Sequence, residues 1–420
     1  MDIYYKILTK IISSYMKYKT KKELNFDYKN TIKYPKNNKE YLLYIHIPFC
    51  KTMCPYCSFH KYIFNEENAK NYFDDLKKEI KIAYTQGFKF HSLYIGGGTP
   101  SLLPKELNET IDLIKSYWDI KDISCEADPD ISQEFIDLLS HKIDRLSIGI
   151  QTFDDNILKQ TKRYKKFGSS KEQFNKIKNI IKHFKNVNCD LIFGFPNQTK
   201  EQLLYDLETI QKLSPTQISI YPLMHSPSVK KSIEKNMGKI THNNEFSLYQ
   251  TILQNLNNYT QISSWSFTKN ENKIFDEYII DYDEYIGLGS GAFGYSNDTL
   301  FINTFSLNQY HQTISNNTLS TQRYKTFNKK DMLYYRLMLS FFGFSFNKND
   351  FYKKFNLTNE LDFELKLMQI FKITDTQHQL TTFGKYIFMV LLKEFYIGMD
   401  YVRENSRKNI NKYGKDLIHT

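Results

Sequence analysis

From residue 42 to residue 267, short apolar runs alternate with longer stretches of helical spacing. Nothing else in the chain limits the fold as strongly. Residues 42–47, 93–95, 123–127, 145–150, 189–193 and 217–221 read as strands. Between and after them, 66–86, 104–117, 132–140, the stretches through 184, 200–213 and 244–256 read as helices. Pro104 suits a first helical turn, where its missing N–H is not needed. The run 261–267 closes the series. Strict alternation implies a parallel sheet. The strands are short, rich in Ile and Leu, and do not alternate cleanly, as expected when both faces are covered. An open doubly wound sheet and a full or partial barrel both fit, and both gather chemistry at the C-terminal ends of the strands.

Those ends carry polar residues and glycines. The first strand is followed by Cys50, and the second runs into Gly96-Gly97-Gly98-Thr99-Pro100. The third ends at Glu126, the fourth at Gln151 and the sixth at Tyr221-Pro222. The fifth contains Cys189, Asp190 and Gly194. From about residue 270 the pattern changes to a glycine-rich run, 285–294, and then to mixed helical segments that include 330–342 and 380–396. The division expected is an N-terminal arm, 1–38, a core, 39–270, and a C-terminal domain, 271–420.

Composition excludes several classes. An apolar fraction of 41% with 16% aromatics in 420 residues rules out global disorder. Lysine and arginine exceed the acids by 11, which suits an acidic partner but also a general lysine bias. No run of five or six like charges occurs, so nucleic acid is not expected as a partner. The apolar stretch 386–399 is broken by Lys393-Glu394 and is too short to span a bilayer. The N-terminal stretch MDIYYKILTKIISSYMKYKTKK lacks the order of a signal peptide and reads as a surface helix or arm. Its alternative is an amphipathic helix touching a membrane surface. Five cysteines are too few and too unevenly placed for a disulfide scaffold, and a reducing cytoplasm is the expected setting.

Three of the five, Cys50, Cys54 and Cys57, form a C-x3-C-x2-C run. Three close thiolates can hold one soft metal centre. A structural zinc site needs a fourth ligand, for which His60 is the nearest donor. A [4Fe–4S] cluster on three cysteines leaves one iron free for a small molecule. Cys125 and Cys189 read as buried, inert thiols.

The segments YIHIPFC…CPYC, SLYIGGGTPSLL, RLSIGIQTF, CDLIFGFPNQT and YIGLGSGAFGY occur in that order. Together they resemble the oxygen-independent coproporphyrinogen III oxidase family of radical S-adenosylmethionine (SAM) proteins, with its radical SAM heme chaperone branch. The resemblance implies an α/β fold: a partial (β/α)6 TIM-like barrel with a C-terminal, mostly helical domain. It implies that Cys50, Cys54 and Cys57 hold three irons of a [4Fe–4S] cluster and that SAM binds the fourth. One SAM or two are implied, and heme is a further candidate ligand. Matched positions assign Gly97, Gly98, Thr99, Glu126, Gln151, Arg163 and Asp190 to the SAM site. Tyr44, Tyr56 and Ile192 match cofactor-lining positions, with ordinary core packing as the competing reading. The amides of Gly97 and Gly98 are expected to meet the methionine part of SAM.

The match departs from the family in two places. The oxidase carries a further cysteine two residues after the third; here Phe59 stands there, as a phenylalanine does in the chaperone branch. The chaperone's HNxxYW segment is also absent, its place taken by FDEYIIDYDEYIGLGSGA. His46, His60 and His225 are therefore heme-ligand candidates by position only. The expected function is reductive SAM cleavage in porphyrin or heme metabolism, chaperone-like rather than oxidase-like. The alternatives are a two-SAM radical methyltransferase and a zinc-bound structural protein. The expected partners are a tetrapyrrole or other small-molecule substrate and an electron donor such as flavodoxin or ferredoxin.

Overall fold

The structure, a computed structural model, describes residues 3–413 except 25, 29–33, 35–38, 241–243, 270–277 and 283. Seven strands form its parallel centre: β1 (Glu40–Ile47), β2 (Lys89–Gly97), β3 (Asp122–Ala127), β4 (Arg145–Gln151), β5 (Asn186–Phe193), β6 (Gln217–Pro222) and β7 (Tyr285–Leu288). Their order across the sheet is β7-β1-β2-β3-β4-β5-β6. All neighbours in that series run parallel. The six expected strands are all present, and the helices Pro104–Tyr117 and Lys200–Leu213 have the expected bounds. Every residue of β1 after Glu40 is buried, as befits a central parallel strand covered on both faces.

Two readings change at the edges. The run expected to close the alternating series is a hairpin, Thr260–Gln261 with Ser266–Thr268, lying antiparallel to β6. Only a few residues join its strands, too few for a crossover to a parallel neighbour. On the other side, four strands join the sheet, with the helix Leu307–Ser315 between the third and the fourth. β7 adds parallel to β1; β8 (Phe293–Ser296), β9 (Thr299–Asn303) and β10 (Thr321–Thr326) follow antiparallel. Glycines interrupt β7 and β8, and polar residues dominate β10, so an apolar pattern does not mark them. Gly287 is required there, since a Cβ would lie 2.1 Å from the Phe293 carbonyl oxygen of the next strand. The sheet thus continues past residue 270, while residues 270 and 271, where the expected boundary falls, lie outside the described residues. Among the described residues no pairing joins the sheet's two end strands, Asp27–Tyr28 and Thr260–Gln261.

The first helix, Ile3–Glu23, packs along the last, Thr382–Tyr413. Gly398 lets them approach, since a Cβ there would lie 2.8 Å from Thr20 Cβ. Ser13 donates to Glu394 at 2.7 Å across the same seam. The last helix is tied to the core by a buried ion pair, Lys393 with Glu245 at 2.7 Å, which Tyr386 joins through its hydroxyl. No helix among the described residues is long and apolar enough to cross a membrane.

Candidate functional site

The cysteine run leaves β1 directly, so its place is set by a strand buried from Tyr41 to Ile47. Cys50 is buried and Cys54 and Cys57 are half-buried; all three thiols are free. The Cys57 amide donates to the Cys54 carbonyl at 3.2 Å, which makes the C-x2-C segment a tight turn. Burial pushes the Cys50 thiol up to about 11, while a hydrogen bond from the Thr99 hydroxyl, 3.5 Å from the sulfur, acts against it. Among the described residues no three Cys, His, Asp or Glu side chains gather closely enough to hold a single metal ion. His60, the nearest donor for a zinc reading, faces Ser290 Oγ at 3.3 Å through Nε2 instead.

The glycine loop after β2 lies against the cysteine loop. A Cβ on Gly98 would fall 2.5 Å from the Phe49 carbonyl oxygen, so backbone meets backbone there. Gly97 has φ +123°, a conformation that suits glycine. Both amides of this loop have partners within the protein. Gly97 N–H donates to Glu126 Oε2 at 3.0 Å, and Gly98 N–H donates to the Ile47 carbonyl at 2.8 Å. The first bond reaches across to β3 and the second folds the loop back onto β1. Glu126 also accepts from Tyr94 at 3.1 Å, so it braces the glycine loop as well as facing the strand ends.

Arg163 is the clearest polar anchor. It is 5% exposed, and its guanidinium lies over the Phe167 ring at 4.4 Å. One nitrogen donates to the Gly149 carbonyl and another stands 4.0 Å from Cys54 Sγ. Its Nε is buried without an acceptor among the described residues. Gln151 stands at the end of β4 with φ +77°, after a register shift between Gly149 and Gln151. A non-glycine residue held in that region stores strain, which concentrates at sites. Asp190 faces the same strand ends and accepts from Ser147 at 2.9 Å and from Asn188 at 2.7 Å.

The three lining positions divide into two groups. Tyr44 donates or accepts at His46 Nδ1 (2.9 Å) and stacks on Tyr278 with ring centroids 5.2 Å apart. Tyr56 and Ile192 pack together against a small apolar cluster that includes Phe195 and Leu223. Of the histidine candidates for heme, His46 uses both ring nitrogens, on Tyr44 and on the His60 carbonyl. Burial pushes His46 down to about 4 and His60 well below its usual value. His60 is 1% exposed and packed so tightly that a Cβ on Gly291 would lie 2.3 Å from its ring. Both are held as neutral parts of the core; His225 is half-buried.

Sequence reasoning missed what the last helix brings. Arg407 donates to the Ser58 carbonyl at 3.0 Å, and Arg403 lies over the rings of Phe59 and Phe293 at 5.1 and 5.2 Å. No motif marks them; their spacing of four on one amphipathic helix was the only signal. Arg403 also borders a cavity of about 490 Å3 between the first helix, the antiparallel strands and the last helix. Its walls are aromatic and thioether-rich, with Tyr285, Phe293, Tyr335, Met338 and Phe395 among them.

Comparison with known proteins agrees with this architecture. Residues 44–210 match the radical SAM superfamily. The heme chaperone HemW of Bacillus subtilis is 30% identical over 288 residues, covering 65% of this chain and 75% of that one. The oxygen-independent coproporphyrinogen III oxidase of Helicobacter pylori is 29% identical over 327 residues, covering 71% of each. The solved structure of the Escherichia coli coproporphyrinogen III oxidase HemN, a radical SAM enzyme, shares the fold with a TM-score of 0.71 at 22% identity, covering 86% of this chain and 91% of that one. The chain therefore belongs to the radical SAM family that includes the heme chaperone HemW and the oxygen-independent coproporphyrinogen III oxidase.

Proposed function

We propose that this protein binds a [4Fe–4S] cluster through Cys50, Cys54 and Cys57, cleaves SAM reductively, and handles a tetrapyrrole as a heme chaperone rather than as a true oxidase. Family membership implies the cluster and SAM. One arrangement carries the reading: three free thiols on one loop at the end of β1, packed backbone to backbone on the glycine loop of β2. The donor set fits the cluster, since soft thiolates suit iron and three ligands leave one iron open. Held by Cys50, Cys54 and Cys57, such a cluster would supply the single electron that reductive cleavage of SAM requires.

The protein's own residues have separate tasks. Arg163, with its unpaired buried Nε, offers a cation to the SAM carboxylate. Glu126 and Asp190 offer carboxylates to its amino group and ribose hydroxyls. Gln151 can donate and accept beside them. Gly97 and Gly98 contribute close approach rather than amide donors, and Thr99 orients the Cys50 sulfur. Tyr44, Tyr56 and Ile192 form apolar walls, and whether one SAM or two binds depends on the space they leave. The aromatic cavity beside Arg403 suits a planar macrocycle with acidic side chains. The electron donor is a flavodoxin- or ferredoxin-like carrier and the setting is the cytoplasm. In this reading, residues 39–270 carry the radical SAM chemistry and 271–420 carry the cavity, with 1–38 as an arm.

Phe59 in place of the oxidase's further cysteine favours the chaperone branch. Anaerobic incubation with SAM, a reductant and either coproporphyrinogen III or heme tests this, with products read by mass spectrometry. Heme retained unchanged supports the chaperone reading. Decarboxylation of coproporphyrinogen would assign an oxidase, and methylated heme a methyltransferase. One equivalent of zinc without labile sulfide in anaerobically purified protein would overturn the cluster itself.

A further inference from the structure

The first helix, Ile3–Glu23, carries apolar residues on two sides. Its inner side sets Tyr5, Leu8, Ile12 and Met16 against the core. Its outer side leaves Ile3, Ile7, Ile11 and Tyr18 exposed at 73%, 54%, 60% and 65%. Spacings of four, four and seven put these four on one stripe. Tyr4 and Tyr15, at 40% and 57%, widen it along one flank. Six of the thirteen large hydrophobic residues exposed among the described residues therefore lie on this one helix. Such a concentration marks a contact surface, whereas scattered exposed residues need no explanation.

The exposed charges on the same helix are of one sign. Lys6, Lys10, Lys17, Lys21 and Lys22 are exposed. The helix's one acid, Glu23, is half-buried and borders the cavity beneath. Isoleucines along the stripe, tyrosines at its flank and lysines around it are the pattern of a helix lying in a lipid interface. Lysines near such a surface gain from anionic headgroups. A second copy pairing through the same helix would set lysines against lysines with no exposed acid between them, which disfavours a dimer. The helix is roughly 31 Å long at 1.5 Å per residue, enough to lie along a surface.

We propose that the outer stripe of this helix docks the protein onto an anionic membrane surface, peripherally and reversibly. Tyr15, Met16, Thr20 and Leu24 of the same helix and its end line the apolar cavity, so docking brings that cavity next to the lipid phase. The inference stands on the exposed stripe and its lysines and is independent of the cluster chemistry.

Flotation of the full-length protein with vesicles tests it, using phosphatidylcholine alone and phosphatidylcholine mixed with phosphatidylglycerol. Binding to the mixed vesicles should exceed binding to the neutral ones by about tenfold and fall at high salt. The double variant Ile7→Glu/Ile11→Glu should lose about tenfold or more of that binding. Its circular dichroism and melting temperature should stay unchanged, because both side chains point away from the core. Equal flotation of that variant, or no flotation of the wild type, would overturn the proposal. So would sedimentation showing a dimer that the double variant splits while vesicles are ignored; the stripe would then belong to a second copy of the chain.

Discussion

Ser58 donates its hydroxyl to the Asp400 carboxylate at 2.5 Å across 342 residues of chain, tying the last helix to the residue that follows the cysteine run. Asp400 also pairs with Arg403 of its own helix. Asp400→Ala would leave that guanidinium, 9% exposed, without its carboxylate. The expected cost is about 3–5 kcal/mol of unfolding free energy, against about 1 kcal/mol for Ser58→Ala. Denaturant unfolding of the two variants measures the difference; equal effects would show that the Arg403 pair is not what Asp400 supports.

Cys54→Ala should abolish both cluster retention and SAM cleavage under the proposed assignment. Iron and labile sulfide in anaerobically reconstituted protein should fall to background, and 5′-deoxyadenosine should not form. A full yield of 5′-deoxyadenosine would remove Cys54 from the ligand set.

Glu79 is a fully buried acid that uses both oxygens. Oε1 accepts from the Ser320 amide at 3.0 Å and its hydroxyl at 2.6 Å; Oε2 accepts from the Gly289 amide at 2.7 Å and from Tyr310 at 2.8 Å. Every partner is a donor. Glu79→Gln would point an NH2 group at two of them, so it should destabilise nearly as much as Glu79→Ala, by about 2–4 kcal/mol. A much milder effect of Gln, measured by thermal unfolding, would mean that the carboxyl is protonated in the native protein.

Asp206 gives a pH dependence. Burial pushes its carboxyl up to about 7, although the Phe153 amide and the Thr152 hydroxyl donate to it at 2.5 and 3.1 Å. The folded protein therefore holds this proton more tightly than the unfolded chain, whose carboxyl titrates near pH ~4. The stabilisation is fully present below that pH and is lost as pH rises through 7. Relative to Asp206→Asn, the wild type should lose about 2–4 kcal/mol between pH ~4 and pH ~8. Parallel stability curves for the two proteins across this range would contradict the shift.

Gly98→Ala should loosen the contact between the glycine and cysteine loops, because its Cβ would lie 2.5 Å from the Phe49 carbonyl oxygen. Neither backbone can yield easily, so a loss of about 2–3 kcal/mol is expected. Iron retained per chain should fall with it. Unchanged stability and iron content would show that the loops can separate at no cost.

The alternating pattern and the C-x3-C-x2-C spacing were legible because both are local. A strand's apolar run, a helix's period and a run of thiols are each carried by neighbouring residues, and the strand ends followed from counting along them. Arg163 and Gln151 were placed by position in a motif, yet the buried Nε and the left-handed backbone that make them distinctive arise from packing. The amides of Gly97 and Gly98 could be counted in the sequence, but their commitment to Glu126 and Ile47 depends on how one loop folds onto a strand. The short strands after residue 270 escaped because glycines interrupt β7 and β8 and polar residues dominate β10, and their register is set by neighbours rather than by their own residues.

The sequence by itself determined the parallel α/β core, the order of its strands along the chain and the cysteine run at the end of the first. Only the tertiary structure decided what surrounds that run. Asp400, Arg403 and Arg407 come from some 340 residues further along the chain, and no local periodicity encodes such a meeting. It is selected by the packing of the last helix against the first helix and the helix Lys329–Phe342. Long-range burial of this kind depends on all the packed surfaces at once, whereas helix, strand and thiol spacing depend on the residue and its near neighbours.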